Sequence, residues 1–171
     1  MPVHKIIMID LTNRRFIMTA KVILYISLFL PWFTLLFAKK QRIKKYIPVI
    51  ILTCLLMTII FQIAYQYNWW VIHTYIVPWG YMIDVSFAYG LFPVGTFWIF
   101  YFTSGRFILF TITNLLMDAI MAYVVLPLLM KLGIAEYNLI ASWQYFLIMY
   151  GISYIIYGYH IWQKKIYKED A

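Results

Sequence analysis

Tyr81–Ala122 reads YMIDVSFAYGLFPVGTFWIFYFTSGRFILFTITNLLMDAIMA. It holds two apolar runs, each long enough to cross a bilayer, and each carries one carboxylate, Asp84 or Asp118. An acid in hydrocarbon costs roughly 2.5–3.5 kcal/mol on insertion scales, so each acid needs a reason to be there. The first run is also interrupted by Gly90, Pro93 and Gly95. Proline frees the carbonyl four residues earlier, and the glycines permit unwinding. Such a break either kinks the helix or lines a midplane site of the kind found in transporters.

The rest of the chain matches this reading. Hydrophobic residues make up 65% of the 171 residues and charged residues 12%, whereas a soluble domain is about a quarter charged. The expected fold is therefore all-α: one transmembrane domain over residues 1–171 with about five spans of roughly 20 residues each. The predicted helices cover about 22–38, 47–65, 80–102, 107–130 and 139–162. The runs are continuous rather than alternating, which argues against a barrel. No internal repeat stands out.

The formal charge is +8, but Lys and Arg collect at the ends of apolar runs, where they orient helices. No polar surface displays them to nucleic acid, so none is expected as a partner. The expected partners are the lipid bilayer and another membrane protein or a second copy. The densest basic cluster, Lys39–Lys45, lies between two spans and is placed in the cytoplasm. Pro48 is expected in the first turn of the helix that follows, where proline is tolerated. With the amino terminus outside, nine Lys and Arg lie inside and five outside. The basic leader is discordant, which leaves the first helix, with Pro31, either spanning or lying in the interface. Its apolar run is long for a signal and lacks a cleavage pattern. Tyr65–Trp79 contains no Lys or Arg and is rich in aromatics, as an outer loop or re-entrant piece in the interface would be. Thr103–Arg106 is a tight turn with Gly105.

Three stripes of polar or small residues emerge at helical spacing: Thr111, Asn114, Asp118 and Ala122; Asp84, Ala88, Leu91 and Gly95; Gln144, Gly151, Tyr154 and Gly158. Together they predict one interior seam shared by the last three helices. Arg106 lies roughly 18 Å along the axis from Asp118, so neither acid has a nearby cation. Asp118 is expected to be neutral and hydrogen-bonded to Asn114, Thr111 or a tyrosine, with His73 within reach of Asp84. On that view Asp118→Leu costs stability by stripping Asn114 of its partner. The acids are either packing pins or a protonatable, ligand-binding site.

Cys54 lies in an apolar run and reads as a packing residue. His4, His73 and His160 have no metal-ligand spacing, and no catalytic motif is present. No cofactor, metal site or enzymatic activity is expected.

Tyr46-Ile-Pro48, Trp69–Trp70, Asp84 with Phe92-Pro93, Leu132-Gly133-Ile134, Tyr137 and Trp143 follow one another in an order that resembles a group of small, uncharacterised integral membrane proteins of spore-forming Firmicutes. Asn138–Ser142 departs from that group's pattern, lacking a glycine and a basic residue. The resemblance implies a five-helix, multi-pass protein of the bacterial plasma membrane and brings no activity with it. The leading functional reading is a non-enzymatic accessory or interaction subunit. The alternative is a small-solute or proton-coupled transport component using Asp84, Asp118 and the Pro93-kinked helix. A transport component requires a polar cavity reaching the acids. An interaction subunit requires a dry seam and an exposed small-residue face.

Overall fold

The computed structural model describes residues 2–103 and 106–169, with side chains over 17–103 and 106–166. Gly105 of the expected turn lies outside them. Among the described residues the chain forms five helical rods. They are α1 (Pro2–Thr34) with a 3₁₀ turn at Leu35–Phe37; α2 (Lys40–Gln66); a π turn at Phe87–Leu91 running into α3 (Phe92–Thr103); α4 (Phe107–Ile120), a π turn at Met121–Val125 and α5 (Leu126–Lys131); and α6 (Ser142–Glu169). Three stretches are long and apolar enough to cross a membrane: Ile17–Phe37, Lys40–Gln66 and Phe107–Lys131. Phe87–Thr103 is apolar but shorter.

Several boundaries differ from the sequence reading, each for a local reason. α2 starts at Lys40, so the basic cluster is helical and Pro48 sits inside the helix rather than in its first turn. Arg42 holds this start in place. Its Nη1 donates to the Tyr101 carbonyl at 3.0 Å, and its guanidinium lies 5.0 Å from the Tyr101 ring centre. That carbonyl belongs to the last turn of α3, where no helical donor remains. The third rod begins at Val85 rather than Gly80. The last rod begins at Ser142 rather than Leu139, and extends past Trp162.

The fold is not purely helical. β1 (Trp70–Ile72) pairs antiparallel with β2 (Ala135–Tyr137), Val71 facing Glu136. The expected aromatic outer loop is thus half of a clasp. Both strands follow helix ends of one design. Asn68, at φ 51°, ends α2: Trp69 N–H bonds Ala64 O at 2.9 Å and Asn68 N–H bonds Tyr65 O at 3.3 Å. Gly133, at φ 61°, ends α5: Ile134 N–H bonds Leu129 O at 2.9 Å and Gly133 N–H bonds Met130 O at 3.0 Å. This pair of bonds uses the orphan carbonyls of each helix and turns the chain sharply into a strand. Trp70 then packs edge-on against Phe61 and Tyr145, closing one end of the bundle.

The other end is an aromatic core. Tyr46, Phe97, Phe100 and Phe110 are almost fully buried, and Phe110 packs at a tilt against Tyr157 with ring centres 4.6 Å apart. Over residues 17–34, α1 lies along the side of the bundle, mostly exposed. It touches the Phe87–Leu91 turn at Gly90, where an added Cβ would stand 2.4 Å from Ser27 O and 2.7 Å from Leu28 Cα. Hydrogen alone fits there, so α1 can come this close only at a glycine.

Candidate functional site

The two π turns share a sequence. Asp84–Pro93 is DVSFAYGLFP and Asp118–Pro127 is DAIMAYVVLP; they agree at Asp, Ala, Tyr and Pro. This is the internal repeat that a scan by apolar length does not register. Both copies fold alike, with five π residues ending two positions before the proline. A proline ring collides with the carbonyl four residues back and offers no N–H, and a widened turn relieves the collision. One carbonyl at each break, four residues before Pro93 and five before Pro127, is met by a side chain from elsewhere. Trp32 Nε1–H donates to Tyr89 O at 2.9 Å, and Tyr137 O–H donates to Ala122 O at 3.1 Å. Burial pushes the Tyr137 phenol above its ordinary pKa, so it remains a donor. Neighbouring side chains therefore take up bonds that both breaks leave open.

The acids occupy equivalent positions in the repeat but different positions in the helices. Asp84 stands just before the first helical residue. Its Oδ1 accepts the Ser86 N–H at 2.9 Å, and the Asp84 carbonyl accepts the Ala88 N–H at 2.8 Å. It is an N-cap, 6% exposed, and satisfies an orphan donor. The second copy has α4 in front of it, so Asp118 sits mid-helix with no free backbone N–H to accept. Its Oδ2 is buried and has no hydrogen-bond partner among the described residues.

The expected network around Asp118 does not form. Asn114 Nδ2 donates instead to Phe110 O at 2.9 Å, and Thr111 Oγ1 is buried without a partner among the described residues. His73 lies not beside Asp84 but 3.0 Å from Glu136 Oε1, on the clasp. Gln144 is not in the seam. Its Oε1 accepts the Ala141 N–H at 2.8 Å, reaching back across the first turn of α6 as a capping residue does. The third stripe faces outward: Gly151, Tyr154 and Gly158 are exposed, and an added Cβ at either glycine would meet nothing within 4 Å. The inward face of α6 carries Tyr145, Met149, Ile152, Ser153 and Ile156. Large apolar side chains, not the glycines, decided which face was buried.

Two members of the α4 stripe, Asn114 and Asp118, line an interior space, and Thr111 and Ala122 do not. A cavity of about 310 Å³ lies between α2, α3, the α4–α5 rod and α6. Asp118 and Asn114 border it from α4, Gly95 and Thr96 from α3, Thr53 from α2 and Ser153 from α6. Met117 and Ile120, both exposed, form its rim on α4. Thr53 and Ser153 were not singled out in the sequence. Each sits in an apolar run, and only the rotation of its helix, unknown beforehand, distinguishes it. A second cavity, about 40 Å³, lies beside Asp84 under the clasp. Phe92 and Met121, one from each repeat, border both cavities and stand between the two acids. Among the described residues no His, Cys, Asp and Glu gather as a metal-binding group.

Compared with known proteins, the chain matches no family model, no curated protein and no solved structure.

Proposed function

We propose that this chain is a non-enzymatic, five-span protein of the bacterial plasma membrane, amino terminus outside, that serves as a proton-coupled transport component for a small solute. One observation carries the reading: a buried Asp118 oxygen, without a partner among the described residues, at the wall of a cavity large enough for a ligand. Apolar walls tolerate a carboxyl group either as the neutral acid or paired with a cation. Proton and solute then compete for one group, which is the logic of exchange. The clasp supports the orientation. It gathers the end of α2 and the end of α5 at one face, leaving the basic start of α2, Arg106 and Lys164–Lys165 at the other. Proteoliposomes enclosing a pH dye test the function. Protein-dependent proton flux that disappears in Asp118→Asn is expected; flux no faster than in empty vesicles would refute it.

A second reading, an accessory subunit binding another membrane protein or its own copy, is favoured by the exposed Gly151 and Gly158 on α6. Its expected signature is a defined oligomer in detergent that Gly151→Leu dissociates.

A further inference from the structure

Two hydroxyls on the cavity wall are turned the same way. Thr53 donates its hydroxyl proton to Val49 O at 2.8 Å, and Ser153 donates its own to Tyr150 O at 2.7 Å. Both hydroxyls therefore present only lone pairs to the space between the helices. The Asp118 oxygen, which has no partner among the described residues, is an acceptor in the ionised form. No Lys, Arg or His borders the cavity. Asn114's second N–H and the Thr96 hydroxyl are the donors in the wall; with no cation beside it, an ionised Asp118 favours an occupant that brings positive charge and disfavours an anion.

The remainder of the wall is apolar and adaptable. Met57, Met117, Met121 and Met149 contribute four flexible thioethers, with Phe92 the aromatic face. Methionine walls reshape around bodies of different outline, and an aromatic face attracts a cation. A volume of about 310 Å³ is small for a peptide and ample for a compact organic ion. The exposed rim at Met117 and Ile120 places the entrance on the side of the bundle, where a lipid-soluble ion arrives through the bilayer.

We propose that this cavity binds a lipophilic monocation, its hydrocarbon body against the methionine walls and its charge at Asp118. The inference names the solute class of the transport reading and depends on that reading for movement alone; binding follows from the cavity.

The test is equilibrium binding of tetraphenylphosphonium to the full-length protein in detergent, with tetraphenylborate as a probe of the same shape and opposite charge. Saturable binding of the cation at one site per chain and none of the anion is expected. Asp118→Asn should weaken binding about thirtyfold or more, the cost of removing one partner of a desolvated charge pair. Glu136→Gln, on the clasp, should leave it unchanged. Gly95→Leu keeps the carboxylate and fills the space, so it should also abolish binding, and it serves as the second arm if Asp118→Asn does not fold. Equal binding of both probes, or cation binding indifferent to Asp118→Asn and Gly95→Leu, would overturn the proposal and leave a cavity filled by acyl chains. Cation binding in a protein without proton flux sustains this inference and removes the transport reading. Proton flux without cation binding does the reverse.

Discussion

At two of the proline breaks a backbone carbonyl left without a helical N–H is answered by a particular side chain. Before Pro93, Tyr89 O goes to Trp32; before Pro127, where the turn is widened to π, Ala122 O, five residues back, goes to Tyr137. The prolines were visible in the sequence, but their partners were not, because nothing local to Pro93 points to residue 32. Trp32→Phe keeps most of the ring and removes the donor, and should destabilise the protein by about 1–3 kcal/mol. In a Pro93→Ala background the helix supplies its own N–H, so the same substitution should cost markedly less; a double-mutant cycle of thermal unfolding in detergent measures the difference. The acids teach a related lesson. Asp84 and Asp118 open the two copies of one partial repeat, yet only Asp84 finds free N–H groups. Because Asn114 does not rely on Asp118, Asp118→Leu should hold or raise the melting temperature, against the sequence-based expectation of a loss. A fall of several degrees would restore the network.

At the level of single helices, size and spacing proved to be different kinds of information. On α4, Asn114 and Asp118 were readable as facing inward because polar groups on lipid-facing positions are expensive. The α6 stripe was misread because glycine is compatible with either face. Only packing decides, and Met149, Ile152 and Ile156 decided it. Glycine's importance in this bundle is accordingly uneven. Gly90→Val should force α1 away from the turn it touches, at about 1–3 kcal/mol, seen as a lower melting temperature and new protease sensitivity between α1 and α2. Gly158→Ala should change stability by less than about 0.5 kcal/mol, because nothing stands near it. Helix ends were also poorly legible. Lys40 begins α2 because Arg42 reaches Tyr101 on a distant element, and no local rule locates that contact.

For the molecule as a whole, the number of rods followed from the count of apolar runs, since length against bilayer thickness is a strong constraint. The clasp did not, because strands of three residues show no alternation, and their partners lie far apart in the chain. Orientation can be checked directly. In a Cys54→Ser background, a cysteine at Glu136 should react with an impermeant maleimide on intact cells, and one at Lys165 only after permeabilisation. The reverse pattern would turn the protein over.

The paired strands have one mechanical consequence. Fastening the end of α2 to the end of α5 makes that face the spine of a book. Any motion that uncovers the Asp118 chamber must part the pages elsewhere, at the basic edge or along the fore-edge beside Met117, while the binding stays shut. A cross-link between the two strands should therefore leave such motion free, whereas one between α2 and α4 near the basic edge should arrest it.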